Sequence, residues 1–124
     1  MGLWNIQMQI TPTLLTKQNL RKLYNCFITL PPFNEYKMPQ GHKVTFEVIN
    51  DNEVFGWFIN DPPRIIIDSI MNKTSQQLIE TLLHEMIHLH LWYTKHNDFD
   101  QHDKKFKEIA KKVCKIYNYN LKEF

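Results

Sequence analysis

The first pattern along the chain is alternation. In residues 3–10 (LWNIQMQI), Ile6, Met8 and Ile10 alternate with Asn5, Gln7 and Gln9, which predicts a short strand. Thr11–Pro12 then reads as a helix start. Leu20, Leu23, Tyr24 and Phe27 recur at helical spacing, so a helix is expected from about Thr13 to Thr29, stopping at Pro31–Pro32. Residues 33–42 carry the Pro, Gly and Asn of a loop. KVTFEVIN (43–50) and VFGWFI (54–59) read as two strands joined at the turn residues Asp51–Asn52, which predicts a hairpin across 43–59. Asp61–Pro62–Pro63 makes another turn, and Arg64–Asp68 (RIIID) a third strand.

Beyond residue 72 the period changes. Lys73–Thr74–Ser75 supplies capping residues, and Leu78, Leu82, Met86 and Leu89 share one side of a helix reaching about Lys95. HNDFDQH (96–102) is a polar loop. Asp103 to about Tyr117 forms a last helix, with Phe106, Ile109, Ala110, Val113, Ile116 and Tyr117 on its apolar face. The expected order is β-α-β-β-β-α-α. This is an α+β fold in one domain spanning 1–124, with its core at about 14–117 and a small antiparallel-type sheet packed on helices.

Composition narrows the class. The chain has 124 residues, 43% of them apolar and 23% charged, which suits one globular domain. Three glycines leave no Gly-rich phosphate loop. A net charge of +2 argues against a strong global field for nucleic acid, while leaving room for local patches. Cys26 and Cys114 follow no pairing or metal spacing and are read as buried, reduced thiols. Neither a signal peptide nor a membrane span is legible, so a cytoplasmic protein is expected, nuclear or in the host cytoplasm if viral, with no membrane partner and as a monomer.

The chemistry is concentrated in His84-Glu85-Met86-Ile87-His88, an HExxH motif inside the predicted helix. Residues i and i+4 share a helix face, so both imidazoles reach one metal ion, while Glu85 stands beside it as a general base toward water. The bland alternative is a helix carrying two surface histidines. A catalytic zinc wants a third protein ligand and an open position. Leu91 and Thr94 stand where a metzincin would have Gly and His, which excludes that class. Glu108 and His96 are candidates. His102 is preferred, because its loop can fold back over the motif. His90 should miss the metal.

The stretch TLLHEMIHLHLWYTKHNDFDQHDKKFKEIAKKV resembles the core of the SprT-like (Spartan) metallopeptidase domain family. That family has a leucine-rich run into HExxH, a variable loop, and a His opening an HGPxF-type segment before a helix. Here the segment is His102-Asp103-Lys104-Lys105-Phe106: His and Phe match, Gly and Pro do not. The layout is similar over roughly 14–117 and specific only across 80–106. The resemblance implies a zincin-like fold, zinc held by His84, His88 and His102, and Glu85 as catalytic base. It also implies a protein or peptide substrate, in better-studied members including proteins crosslinked to DNA. No zinc ribbon or C-terminal tail of the kind many members carry is legible here.

Other residues divide between function and packing. Lys104, Lys107, Lys111 and Lys115, flanked by Lys105 and Lys112, form a stripe that suits either single-stranded DNA phosphates or plain solvation. Phe55, Trp57 and Phe58 could stack on bases but are expected in the core. Asp98, Asp100 and Asp103 read as loop and cap residues, and His42 as a surface loop residue. Val54–Ile59 or Arg64–Asp68 could offer a free edge for an extended peptide. Two functions follow: a zinc metallopeptidase, and, as the alternative, a nucleic-acid-binding module with a structural or vestigial zinc site.

Overall fold

A computed structural model describes residues 15–124. The strand expected at 3–10 and the helix start at Thr11–Pro12 lie outside the described residues. Helix α1 runs Lys17–Phe27, capped by Thr16, whose hydroxyl accepts the Asn19 N–H at 3.1 Å. Residues 33–42, expected to be loop, include two short 3-10 turns, Phe33–Glu35 and Gly41–Lys43. The strands are β1 (Thr45–Ile49), β2 (Gly56–Ile59) and β3 (Arg64–Asp68). Helix α2 spans Ser75–Tyr93 under a Thr74 cap, and helix α3 spans Lys104–Tyr117. The architecture is α+β, with three helices and one three-stranded sheet among the described residues.

The sheet departs from expectation. Its order is β1-β3-β2, with β3 parallel to β1 and antiparallel to β2. The sheet is therefore mixed rather than antiparallel. β1 and β2 form no hairpin, and Arg64–Asp68 is the centre rather than an edge. The physical reason is visible in the side chains. Ile65, Ile66 and Ile67 are all buried, so β3 is apolar on both faces, as a central strand must be. β1 and β2 alternate and suit the edges.

Register places Phe46, Ile65 and Phe58 side by side, facing the helices. Tyr24 of α1 meets Phe46 at 5.4 Å, and α2 packs on β2 and β3. Trp57 lies beside Ile66 on the opposite face, which explains why it is exposed rather than in the core. Phe55, just before β2, is exposed too, while Phe58 is half-buried against Trp92 and Phe99. Cys114 is buried as expected, but Cys26 lies on the solvent side of α1. Ile116 is also exposed, at the end of the apolar stripe of α3.

A buried carboxylate ties the loops together. Asp68, at the end of β3, is fully buried and accepts backbone N–H groups from Asp51, Asn52, Ile70 and Met71. Asn72 donates to the carbonyls of Phe55 and Asp68 and accepts the Thr81 hydroxyl at 2.6 Å. Asp68 and Asn72 thereby tie the end of the sheet to the site helix. No described helix is long and apolar enough to cross a membrane.

Burial alone would push the Asp68 carboxyl up, but the four N–H donors outweigh it and hold the group below the usual carboxylate range. A depressed folded pKa contributes stability that is present above the unfolded value of about 3.9 and is lost as pH falls through the folded pKa. Asp68→Ala strands those donors and is expected to lower Tm by roughly 10 °C at neutral pH, with the difference shrinking in acid. Thermal melts of both proteins at neutral pH and near pH 3 check this.

Candidate metal centre

Helix α2 is buried on nearly every side. Leu78, Leu82, Leu83, Met86, Ile87 and Leu89 are fully enclosed, and Glu85, His88 and His90 are buried with them. Burying polar side chains is costly unless they are partnered, so the partners of these residues carry the chemistry.

The helix ends at Thr94, and Lys95 takes a left-handed conformation (φ 65°), which turns the chain back. The loop then returns along α2. Phe99 packs edge-on against Phe58, and Phe58 against Trp92, both at 6.0 Å. This cluster sets the Phe99 carbonyl against His88, whose Nδ1–H donates to it at 2.6 Å. His102 follows on the same loop, and its Nε2 lies 3.2 Å from Nε2 of both His84 and His88. One ligand atom from each of the three lies within 4.8 Å of the others.

A proton count shows what this arrangement suits. His88 commits its N–H at Nδ1, so in the neutral ring Nε2 is a lone pair. His84 hydrogen-bonds the backbone of Phe124 with its ring, so its Nε2 also turns a lone pair inward. His102 can donate one proton to one of them, not to both. At least one lone pair is then left facing another nitrogen, an arrangement that a cation relieves. Nitrogens about 2.0–2.1 Å from a tetrahedral zinc stand roughly 3.3–3.4 Å apart, close to the spacing found. The donor set fits zinc, and the bonds to the Phe99 and Phe124 backbones fix ring tautomers as metal-binding histidines require.

The protonation states agree. Burial, with His88 and His102 alongside, lowers His84 to about 3. Burial also lowers His88, against the opposing bond to Phe99. Both rings are thus neutral and ready to ligate at ordinary pH. Glu85 is 6% exposed, has no hydrogen-bond or ion-pair partner among the described residues, and is pushed by burial up to about 8. Beneath the three imidazoles lies Phe106, with ring centroids 4.9, 4.7 and 4.5 Å from His84, His88 and His102.

The SprT-like family model matches residues 34–123. The chain belongs to the SprT-like family. No curated protein and no solved structure matches it. The match takes in the whole cluster of this SprT-like chain, from the strands through α3.

The other histidines fall elsewhere. His96 bonds the Thr94 hydroxyl, His90 bonds the Lys37 carbonyl, and His42 is exposed in a 3-10 turn. Glu108 is exposed and paired with Lys105 at 3.9 Å. Asp103 holds the N-cap position of α3 but makes no side-chain cap bond. Lys104, Lys107, Lys111 and Lys115 are exposed on α3.

A cleft of about 550 Å³ opens beside His84 and Glu85. Its walls include Phe55 and Gly56 at the start of β2, Glu80 and Thr81 of α2, and Glu123 and Phe124. Phe55 and Gly56 belong to the Val54–Ile59 segment that the sequence offers as a strand edge for a peptide, whereas Glu80, Thr81, Glu123 and Phe124 are not singled out there. Gly56 carried a further signal, a glycine inside a strand pattern. A Cβ there would meet the Ile66 carbonyl and Thr81 Cγ2 at 2.9 Å and Glu85 Cγ at 3.4 Å. Glycine lets β2 approach Glu85.

Phe106→Ala removes the floor of the cluster. It is expected to cost about 3–5 kcal/mol of stability and to weaken zinc binding by about tenfold or more. Denaturant titration and a competitive chelator titration read these separately.

Proposed function

We propose that this SprT-like chain is a zinc-dependent metalloendopeptidase with a zincin-like fold. The reading rests on one observation above the others: three imidazole nitrogens converge near a buried carboxylate that has no partner among the described residues, and a cleft opens beside it. His84, His88 and His102 would hold the ion. Zinc in such a site supplies Lewis-acid activation of a water and of the scissile carbonyl.

The chain's own groups do the rest. Glu85, through a carboxylate oxygen, takes the proton of the attacking water and passes it to the leaving amine nitrogen. Its raised proton affinity suits delivery of that proton, and the charge of a bound zinc would favour the carboxylate form that accepts it. β2 is an edge strand among the described residues, and its first residue, Gly56, lines the cleft. That supports an extended protein or peptide substrate adding alongside it as a further strand.

A structural zinc site usually closes with four protein ligands, whereas three histidines gather here among the described residues. This favours the peptidase over the binding-module reading. The exposed lysines of α3 support an extension of it: action on DNA-associated or DNA-crosslinked proteins, with single-stranded DNA as a partner.

Dialysed protein is expected to hold about one zinc per chain, and His102→Ala much less, by elemental analysis. Glu85→Gln should keep the zinc and lower kcat about 100-fold or more. A zinc-loaded Glu85→Gln protein with full peptidase activity would sink the mechanism. Single-stranded DNA should stimulate cleavage, and Lys107→Glu with Lys111→Glu should abolish the stimulation and lower the salt slope of DNA binding by about one per lysine. Equal activity with and without DNA would remove the DNA extension and leave the peptidase.

A further inference from the structure

A second cavity lies on the far side of α2 from the cleft residues, away from the three-histidine cluster. It has a volume of about 420 Å³ and is lined by Tyr36, His90, Ile109 and the lysines 105, 111 and 112, with Glu108 at its rim. His90 is buried, at 8% exposed. Tyr36 stacks on it at 4.9 Å and 28°, and Lys112 sits over the other ring at 5.7 Å. The His90 Nδ1–H donates to the Lys37 carbonyl at 2.9 Å. Its Nε2 makes no hydrogen bond among the described residues. A buried polar atom in that position wants a partner, and here it belongs to a side chain lining a cavity.

The surrounding charge identifies the partner's sign. Three lysines face one carboxylate, Glu108, which is itself 3.9 Å from Lys105. The tautomer identifies its chemistry. With Nδ1–H committed, neutral His90 offers a lone pair at Nε2 and so accepts a hydrogen bond. The matching ligand is an anion that also carries an O–H. Hydrogen phosphate has both at neutral pH, and a phosphate monoester has both in its monoanionic form, whose proton leaves with a pKa of about 6, whereas sulfate at neutral pH has no proton to donate.

We propose that His90, Lys105, Lys111 and Lys112 form a binding site for a phosphate monoester group, either free or at the end of a nucleic-acid strand. Lys111 also borders the adjoining groove of Lys104 and Lys107, so further phosphates of a strand have a basic path leading away from the site. The site does not depend on zinc or on peptidase activity.

The test is titration of the full chain with inorganic phosphate and with sulfate at constant ionic strength, followed by calorimetry and by NMR of the His90 ring. Phosphate should bind saturably and about tenfold more tightly than sulfate, the worth of one good hydrogen bond. Lys105→Gln and Lys112→Gln should each weaken it about tenfold, while Lys22→Gln, on α1, should not. His90→Gln should erase the preference over sulfate. If that buried substitution prevents folding, the surface lysine variants still decide. Absence of saturation, equal binding of the two anions, or equal losses in Lys22→Gln and Lys112→Gln would overturn the proposal. Oligonucleotides ending in 5′-phosphate or 5′-hydroxyl separate the sources. Tighter binding of the phosphorylated strand supports the strand end, and equal binding with inorganic phosphate still bound supports the free ion.

Discussion

The meeting of three imidazole nitrogens with too few protons to satisfy them is the constraint on which the site depends. Two of the rings spend their N–H groups on backbone, at Phe99 and Phe124, and turn lone pairs inward. Such an arrangement persists only where the surroundings hold it. The left-handed turn at Lys95, the Phe58–Phe99 contact and the Phe106 floor fix the rings in place. They do so with apolar surface, which adds no competing donors. Remove any of these and the rings can turn to water, where their protons are no longer scarce.

The same logic governs what was legible in the sequence. HExxH on a buried helix could be read directly, because helical period and motif spacing agree there. The return of His102 was legible from the polar loop that separates two strongly periodic helices. Strand order was not. A period of two reports which face a residue occupies but not which strand lies beside it. The sign that could have corrected it was the unbroken Ile65–Ile67 run, which only a central strand buries on both faces. The far wall of the cleft was hidden for another reason. Glu123 and Phe124 lie in a non-periodic stretch, and Phe124 meets the site through its backbone, at His84, and through its ring, tilted against His84 and Phe106.

Membership of the SprT-like family and the geometry of the cluster bear on different questions. A family match bears on the fold, and function is argued from the site. Here the departures from the family's HGPxF-type segment fall at Asp103 and Lys104, while His102 and Phe106 keep their places. Asp103 still holds the N-cap position of α3, but without a side-chain bond to the helix. The segment's work in this chain is therefore done by its two rings, one in the cluster and one beneath it.

The buried Glu85 shows how closely the fold and the chemistry are joined. A carboxyl at this depth with no partner among the described residues destabilises the folded chain, and burial leaves it preferring its proton. Nothing in the packing requires an acid there, since a leucine or methionine would serve the helix better. What holds Glu85 beside the cleft is the approach of β2, made possible by the missing side chain at Gly56 and secured through Asn72, which bonds both the Phe55 carbonyl and Thr81. Strand, loop and helix thus converge on one carboxyl group. Stability alone would not select that convergence; the proton transfer proposed for Glu85 would.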